Sequence, residues 1–78
     1  MATRRSTYFF SSEQDYENAK NDLHDKMYQD YQSPDKLYFE GWYGGEYVIS
    51  IMEYCSNPEL AASIMRDHGG AYKNYPFE

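Results

Sequence analysis

The chain has 78 residues, 41% of them hydrophobic, with ten tyrosines, one cysteine and a net charge of −6. That length fits one small domain, residues 1–78, whose fold buries roughly 60% of the unfolded surface. Cys55 is alone, so an internal disulfide is excluded; no ~20-residue apolar run exists to span a bilayer; and the negative charge argues against direct contact with nucleic acid or anionic lipid.

The first residues, Met1 to Arg5, lack a following apolar segment, so no secretory leader is expected. With the lone cysteine, this points to a cytoplasmic protein. Residues 1–5 are expected to be a frayed basic tail. Without Arg4 and Arg5, thirteen acidic side chains face five basic ones.

Residues 6–10, Ser-Thr-Tyr-Phe-Phe, predict a short first strand. Ser11 or Ser12 then caps a helix, and Glu13, Asp15 and Glu17 complement its positive end. The helix is expected over Glu13–Tyr31, with Tyr16, Ala19, Leu23, Met27 and Tyr31 on one face. Asp15, Asn18, Asp22, Asp25 and Gln29 fall on the other. Ser33-Pro34 ends it, because a residue before proline is pushed out of the α region.

Lys36–Trp42 predicts a strand, Gly44-Gly45 a tight hairpin turn, and Glu46–Tyr54 a central return strand. Alternation sends Leu37, Phe39, Tyr47, Ile49 and Ile51 to one face. It sends Tyr38, Glu40, Trp42, Val48, Ser50, Met52 and Tyr54 to the other. Asn57 caps a second helix opened by Pro58, with Leu60, Ala61, Ile64 and Met65 as its buried stripe, and Gly69-Gly70 ends it. Residues 71–75 complete a last strand.

The order is β-α-β-β-α-β, an α+β chain of the ferredoxin-like split type: an antiparallel sheet with both helices on one face. A β-α-β-β-α sheet with a trailing tail is the close alternative. In topology this resembles an RNA-recognition motif, whose strand aromatics stack bases. The basic, aromatic strand signature of that family is absent, and Glu40 stands where a phosphate-tracking site needs a cation.

No metal spacing links His24, His68 and Cys55, and no phosphate-cradling loop or serine signature is present. The expectation is therefore no enzyme, no cofactor and no metal. Two binding surfaces remain. One is an acidic ridge of Asp15, Asp22 and Asp25 on the first helix, extended by Asp30, Asp35, Glu40 and Glu46 where the fold brings them alongside. The other is an exposed aromatic patch of Tyr38, Trp42 and Tyr54 on the free sheet face. Carboxylates attract Arg and Lys, and tyrosine gives contact area at low entropic cost.

In size, acidity and tyrosine content the chain resembles the small phage-encoded anti-defence proteins, the anti-CRISPR and DNA-mimic type. The resemblance lies in these bulk properties and in no motif. It implies an inhibitor or adaptor in the host cytoplasm that occupies a basic nucleic-acid-binding site on a larger nucleoprotein complex. Carboxylates would pair with phosphate-holding Arg and Lys, and tyrosines and Trp42 would fill apolar gaps. The competing expectation is a housekeeping interaction module that docks or forms a homodimer through the aromatic sheet face.

Overall fold

A computed structural model describes residues 5–73. The chain is α+β, with one four-stranded antiparallel sheet and three helices. Its elements are β1 (Arg5–Phe10), α1 (Glu13–Lys26), α2 (Tyr28–Tyr31), β2 (Leu37–Tyr43), β3 (Glu46–Met52), α3 (Pro58–Asp67) and β4 (Ala71–Lys73). The strand order is β2-β3-β1-β4, so β3 is central as its two apolar faces require. The expected last strand forms over Ala71–Lys73; residues 74 and 75 lie outside the described residues.

The core lies between one sheet face and the helices. Tyr8 and Phe10 of β1, Leu37 of β2, and Ile49 and Ile51 of β3 join Tyr16, Ala19 and Leu23 of α1 and Ala61, Ile64 and Met65 of α3 in one cluster. Phe39, Tyr31 and Tyr47 pack against it, half-buried. The alternation of Leu37, Phe39, Tyr47, Ile49 and Ile51 therefore places them as expected. The cap residues also behave as their chemistry dictates. Ser12 accepts the Asp15 N–H at 3.4 Å, and Asn57 accepts the Leu60 N–H at 3.2 Å. Gly44 and Gly45, with φ of 61° and 93°, turn the β2–β3 hairpin.

Four expectations are corrected. Arg5 is no frayed tail residue: it pairs with Met52 across the sheet, and its guanidinium lies 3.7 Å from Glu40. The first helix does not run unbroken to Tyr31. Met27 leaves the α region (φ −136°, ψ 51°), and α2 restarts as a single turn. The periodicity of apolar residues survives that break, which is why sequence spacing does not reveal it. β3 ends at Met52, so Tyr54 sits in the following turn and not on the sheet.

The fourth correction concerns β2. The ladder with β3 runs Leu37↔Ile51, Tyr38↔Ser50, Phe39↔Ile49, then shifts to Gly41↔Val48 and Trp42↔Tyr47. The extra residue is a β-bulge, made affordable by Gly41 at φ 76°, a left-handed conformation costly for other residues. A one-residue shift flips every later side chain to the opposite face. Trp42 thus lies on the helix side beside Tyr47, and Tyr43 takes the other side against Phe9 and Val48. The bulge also blunts this outer strand. So does the Leu37 N–H, which is held by the Ser33 carbonyl at 3.0 Å.

Candidate functional site

The predicted aromatic patch does not assemble. Tyr38 is exposed on the face that the core cluster leaves open, Trp42 is on the opposite face, and Tyr54 is beyond the strand. That open face is not a free platform either. Thr7, Phe9, Val48 and Ser50 are all buried there, and the Thr7 and Ser50 hydroxyls bond at 3.1 Å. Lys73 lies over the Phe9 ring at 5.0 Å.

Trp42 instead begins a row of rings on the helix side. It meets Tyr47 edge-on at 5.0 Å, and Tyr47 stacks on Tyr16 at 5.3 Å. Lys20 sits 5.2 Å from the Tyr16 ring and 5.9 Å from Phe39. Phe39 then contacts Tyr31, which contacts His24. Burial raises the Tyr16 phenol's pKa, helped by the Glu17 charge and opposed by a hydrogen bond to the Gly41 backbone. The row is mostly structural, but Trp42 remains 63% exposed at its end.

The acidic ridge is also divided. Asp22 bonds His68 at 3.1 Å and Lys26 at 3.2 Å, tying α1 to the C-terminal end of α3. The His68 hydrogen bond holds the Asp22 carboxyl below its ordinary range, with burial opposing and Lys26 assisting. Asp15 is half-buried against the same end of α3, where Gly69 leaves room for its carboxylate. Glu40 pairs with Arg5, and Glu46 with Lys73 at 2.9 Å. Of the predicted acidic residues, Asp25 and Asp35 are exposed, with no ion pair among the described residues.

Asp30, expected to extend the surface ridge, is instead a buried acceptor, a role that the sequence does not reveal. It is 2% exposed, on the single turn of α2. One of its oxygens accepts the Ser56 hydroxyl at 2.6 Å, the Ser56 N–H at 2.9 Å and the Cys55 thiol at 3.4 Å. Lys36 Nζ stands 3.9 Å from the other. Burial pushes the Asp30 carboxyl up, yet the Ser56 and Cys55 hydrogen bonds and Lys36 together outweigh it and the net shift is downward. Burial pushes the Cys55 thiol up, and the adjacent Asp30 carboxylate adds to this, so it is a poor nucleophile. The cluster is a clamp between α2 and the turn before α3. Its only sequence signal is a carboxylate one position from the end of the apolar stripe.

Beside this clamp the break at Met27 opens a groove of about 400 Å³. Asp25, Tyr28, Gln29, Asn57 and Leu60 line it, with buried Met27 among them. Leu60, expected in the buried stripe of α3, is 36% exposed on its wall. A second hollow of about 340 Å³ is lined by Arg5, Ile51, Met52, Pro58 and Tyr72.

No group of His, Cys, Asp and Glu side chains able to hold a metal occurs among the described residues, and no described helix is long and apolar enough to cross a membrane. No family model, curated protein or solved structure matches the chain.

Proposed function

We propose that this chain is a small acidic protein-binding module without catalytic activity, acting as an inhibitor or adaptor on a partner with a basic surface. The observation that carries the reading is the unpaired surface charge. Glu13, Asp25, Asp35, Glu53, Glu59 and Asp67 are exposed and make no ion pairs among the described residues. Among the described residues the exposed cations are Lys26, Arg66 and Lys73, and Lys26 and Lys73 are held by Asp22 and Glu46. Such a surface steers toward basic partners and away from phosphate backbones.

In its finer form the partner is a nucleic-acid-handling protein of the bacterial defence type, and the chain occupies its phosphate-binding site. The ferredoxin-like split arrangement belongs to the same proposal. The antiparallel order β2-β3-β1-β4 and the single core shared by α1, α3 and one sheet face support it. A reducing, cytoplasmic setting is supported by the lone free Cys55.

The test is capture of partners from a lysate at low salt, followed by elution with free duplex DNA or with 0.5–1 M salt, roughly the range that collapses the Debye length toward 3 Å. Basic nucleic-acid-binding proteins released by both eluants are expected. Partners that are acidic, or that DNA leaves in place, would remove the reading.

The second reading is docking through aromatic side chains. Trp42 favours it, being a large, exposed ring already oriented by Tyr47. In that case Trp42→Ala abolishes capture and salt has little effect.

A further inference from the structure

The groove at the α1–α2 break combines three properties. The first is an acid free to act. Asp25 on its wall is exposed and has no ion pair among the described residues, whereas Lys26, the groove's cation, is held 3.2 Å from Asp22. The second is the end of a helix. α1 stops here after 14 residues, with the Met27 N–H closing on the Leu23 carbonyl at 2.7 Å. The last carbonyls of α1 itself stand at the negative pole of its dipole, which favours a cation, whereas the Met27 carbonyl already accepts the Tyr31 N–H at 2.8 Å. The third is apolar contact: Tyr28 is 50% exposed and Leu60 36%, one on each side of the hollow.

Asp30 lies behind this wall, with three donors on one oxygen and Lys36 3.9 Å from the other. The Asp30–Ser56 clamp also joins α2 to the segment before α3, and residues of both line the groove. The site therefore combines an unpaired acid, apolar contact and a hydrogen-bonded prop.

We propose that this groove is the docking site for a basic segment of a partner protein: an Arg or Lys side chain reaches Asp25 and the last carbonyls of α1, and a neighbouring apolar residue packs between Tyr28 and Leu60. Charge complementarity selects this occupant over an acidic peptide or a nucleic acid. The inference rests on the reading of the chain as a binder of basic protein surfaces, and it names where that binding occurs. A guanidinium suits the site better than an ammonium, since its planar fork can serve a carboxylate and a carbonyl at once.

The probe is a short synthetic peptide alternating arginine and leucine, with a glutamate–leucine peptide as the control. Backbone amide shifts of the ¹⁵N-labelled full chain are followed during titration. Shifts concentrated at Asp25–Gln29, Asn57 and Leu60 are expected, with affinity falling as salt rises. Asp25→Asn should weaken binding about fivefold or more, the scale of a charge-assisted contact. Glu13→Gln, which removes the same charge at the far end of α1, should leave it within twofold. Tyr28→Ala should weaken binding without changing its salt dependence.

Arginine-peptide shifts spread over the acidic surface, or equal losses from Asp25→Asn and Glu13→Gln, would overturn the groove while leaving the broader reading intact. Failure of the arginine peptide to bind anywhere would overturn both. Asp30→Asn supplies a check on the prop. A variant that stays folded but binds less tightly supports the clamp's role in holding the groove, and one that stays folded with unchanged affinity removes it.

Discussion

The Ser56 hydroxyl donates to the buried Asp30 carboxylate at 2.6 Å, joining the single turn of α2 to the residue before the Asn57 cap of α3. Three donors converge on that one oxygen, and Lys36 approaches the other. A carboxylate so enclosed loses stability with each partner removed. The clamp therefore ties the α2 turn to the segment before α3, beside the neighbouring groove.

Asp30→Ala strands these donors and leaves a small void. Loss of about 1–3 kcal/mol is expected from the unmade hydrogen bonds. Urea unfolding followed by circular dichroism measures it. Ser56→Ala, which deletes one donor and leaves the Ser56 N–H bond in place, should cost less than Asp30→Ala.

Acid should destabilise the protein through the same residue. The folded-state pKa values of Asp30 and Asp22 both lie below the ordinary carboxylate value of 3.8. A depressed folded pKa means that the unfolded chain takes up the proton first. The stabilisation is complete above the ordinary value and is lost as pH falls from there through each folded-state value. Thermal melts between pH 2 and pH 6 should show Tm falling below about pH 4. The fall should be shallower in Asp30→Asn. An Asp30→Asn profile parallel to the wild type would place the acid sensitivity elsewhere.

Two glycines should respond differently to alanine. At Gly41 an added Cβ finds its nearest neighbour, the Tyr16 hydroxyl, at 3.9 Å, so only the left-handed backbone is strained. That costs about 1–2 kcal/mol. At Gly70 the Cβ would stand 2.8 Å from Phe10 Cζ and 2.9 Å from the Met65 carbonyl oxygen. The carbonyl belongs to the backbone of α3's last turns and Phe10 is fully buried, so neither yields without disturbing the core. Gly70→Ala should be the more damaging of the pair, by roughly 1 kcal/mol or more given typical overpacking costs. Equal midpoints in urea would contradict this.

The Tyr16–Tyr47 stack is expected to couple energetically. Its rings are 5.3 Å apart, and each touches a further ring, Phe10 and Trp42 respectively. A double-mutant cycle with Tyr16→Leu and Tyr47→Leu should return a coupling of about 0.5–1.5 kcal/mol. Trp42 is the chain's sole tryptophan, so its emission reports directly on Tyr47. Tyr47→Leu should change that emission, and Tyr38→Leu, on the opposite sheet face, should not.

Much of this fold is legible in the residues themselves. Ser12, Asn57 and Pro58 mark helix starts because capping is local chemistry, and Gly44-Gly45 marks the hairpin because only positive φ closes it. Strand alternation placed Leu37, Phe39, Ile49 and Ile51 on the core face, and helix periodicity did the same for Tyr16, Ala19 and Leu23. The acidic charge belongs to composition alone. Tertiary structure decided the rest. Alternation cannot register an inserted residue, so only the ladder reveals that the bulge at Gly41 carries Trp42 away from Tyr38. Periodicity cannot see a break between two in-phase turns, so the Met27 break, the burial of Asp30 and the groove beside them were hidden. Which carboxylates stay free was likewise settled by long-range neighbours: His68 claims Asp22, Arg5 claims Glu40, Lys73 claims Glu46, and Asp25 is left facing solvent.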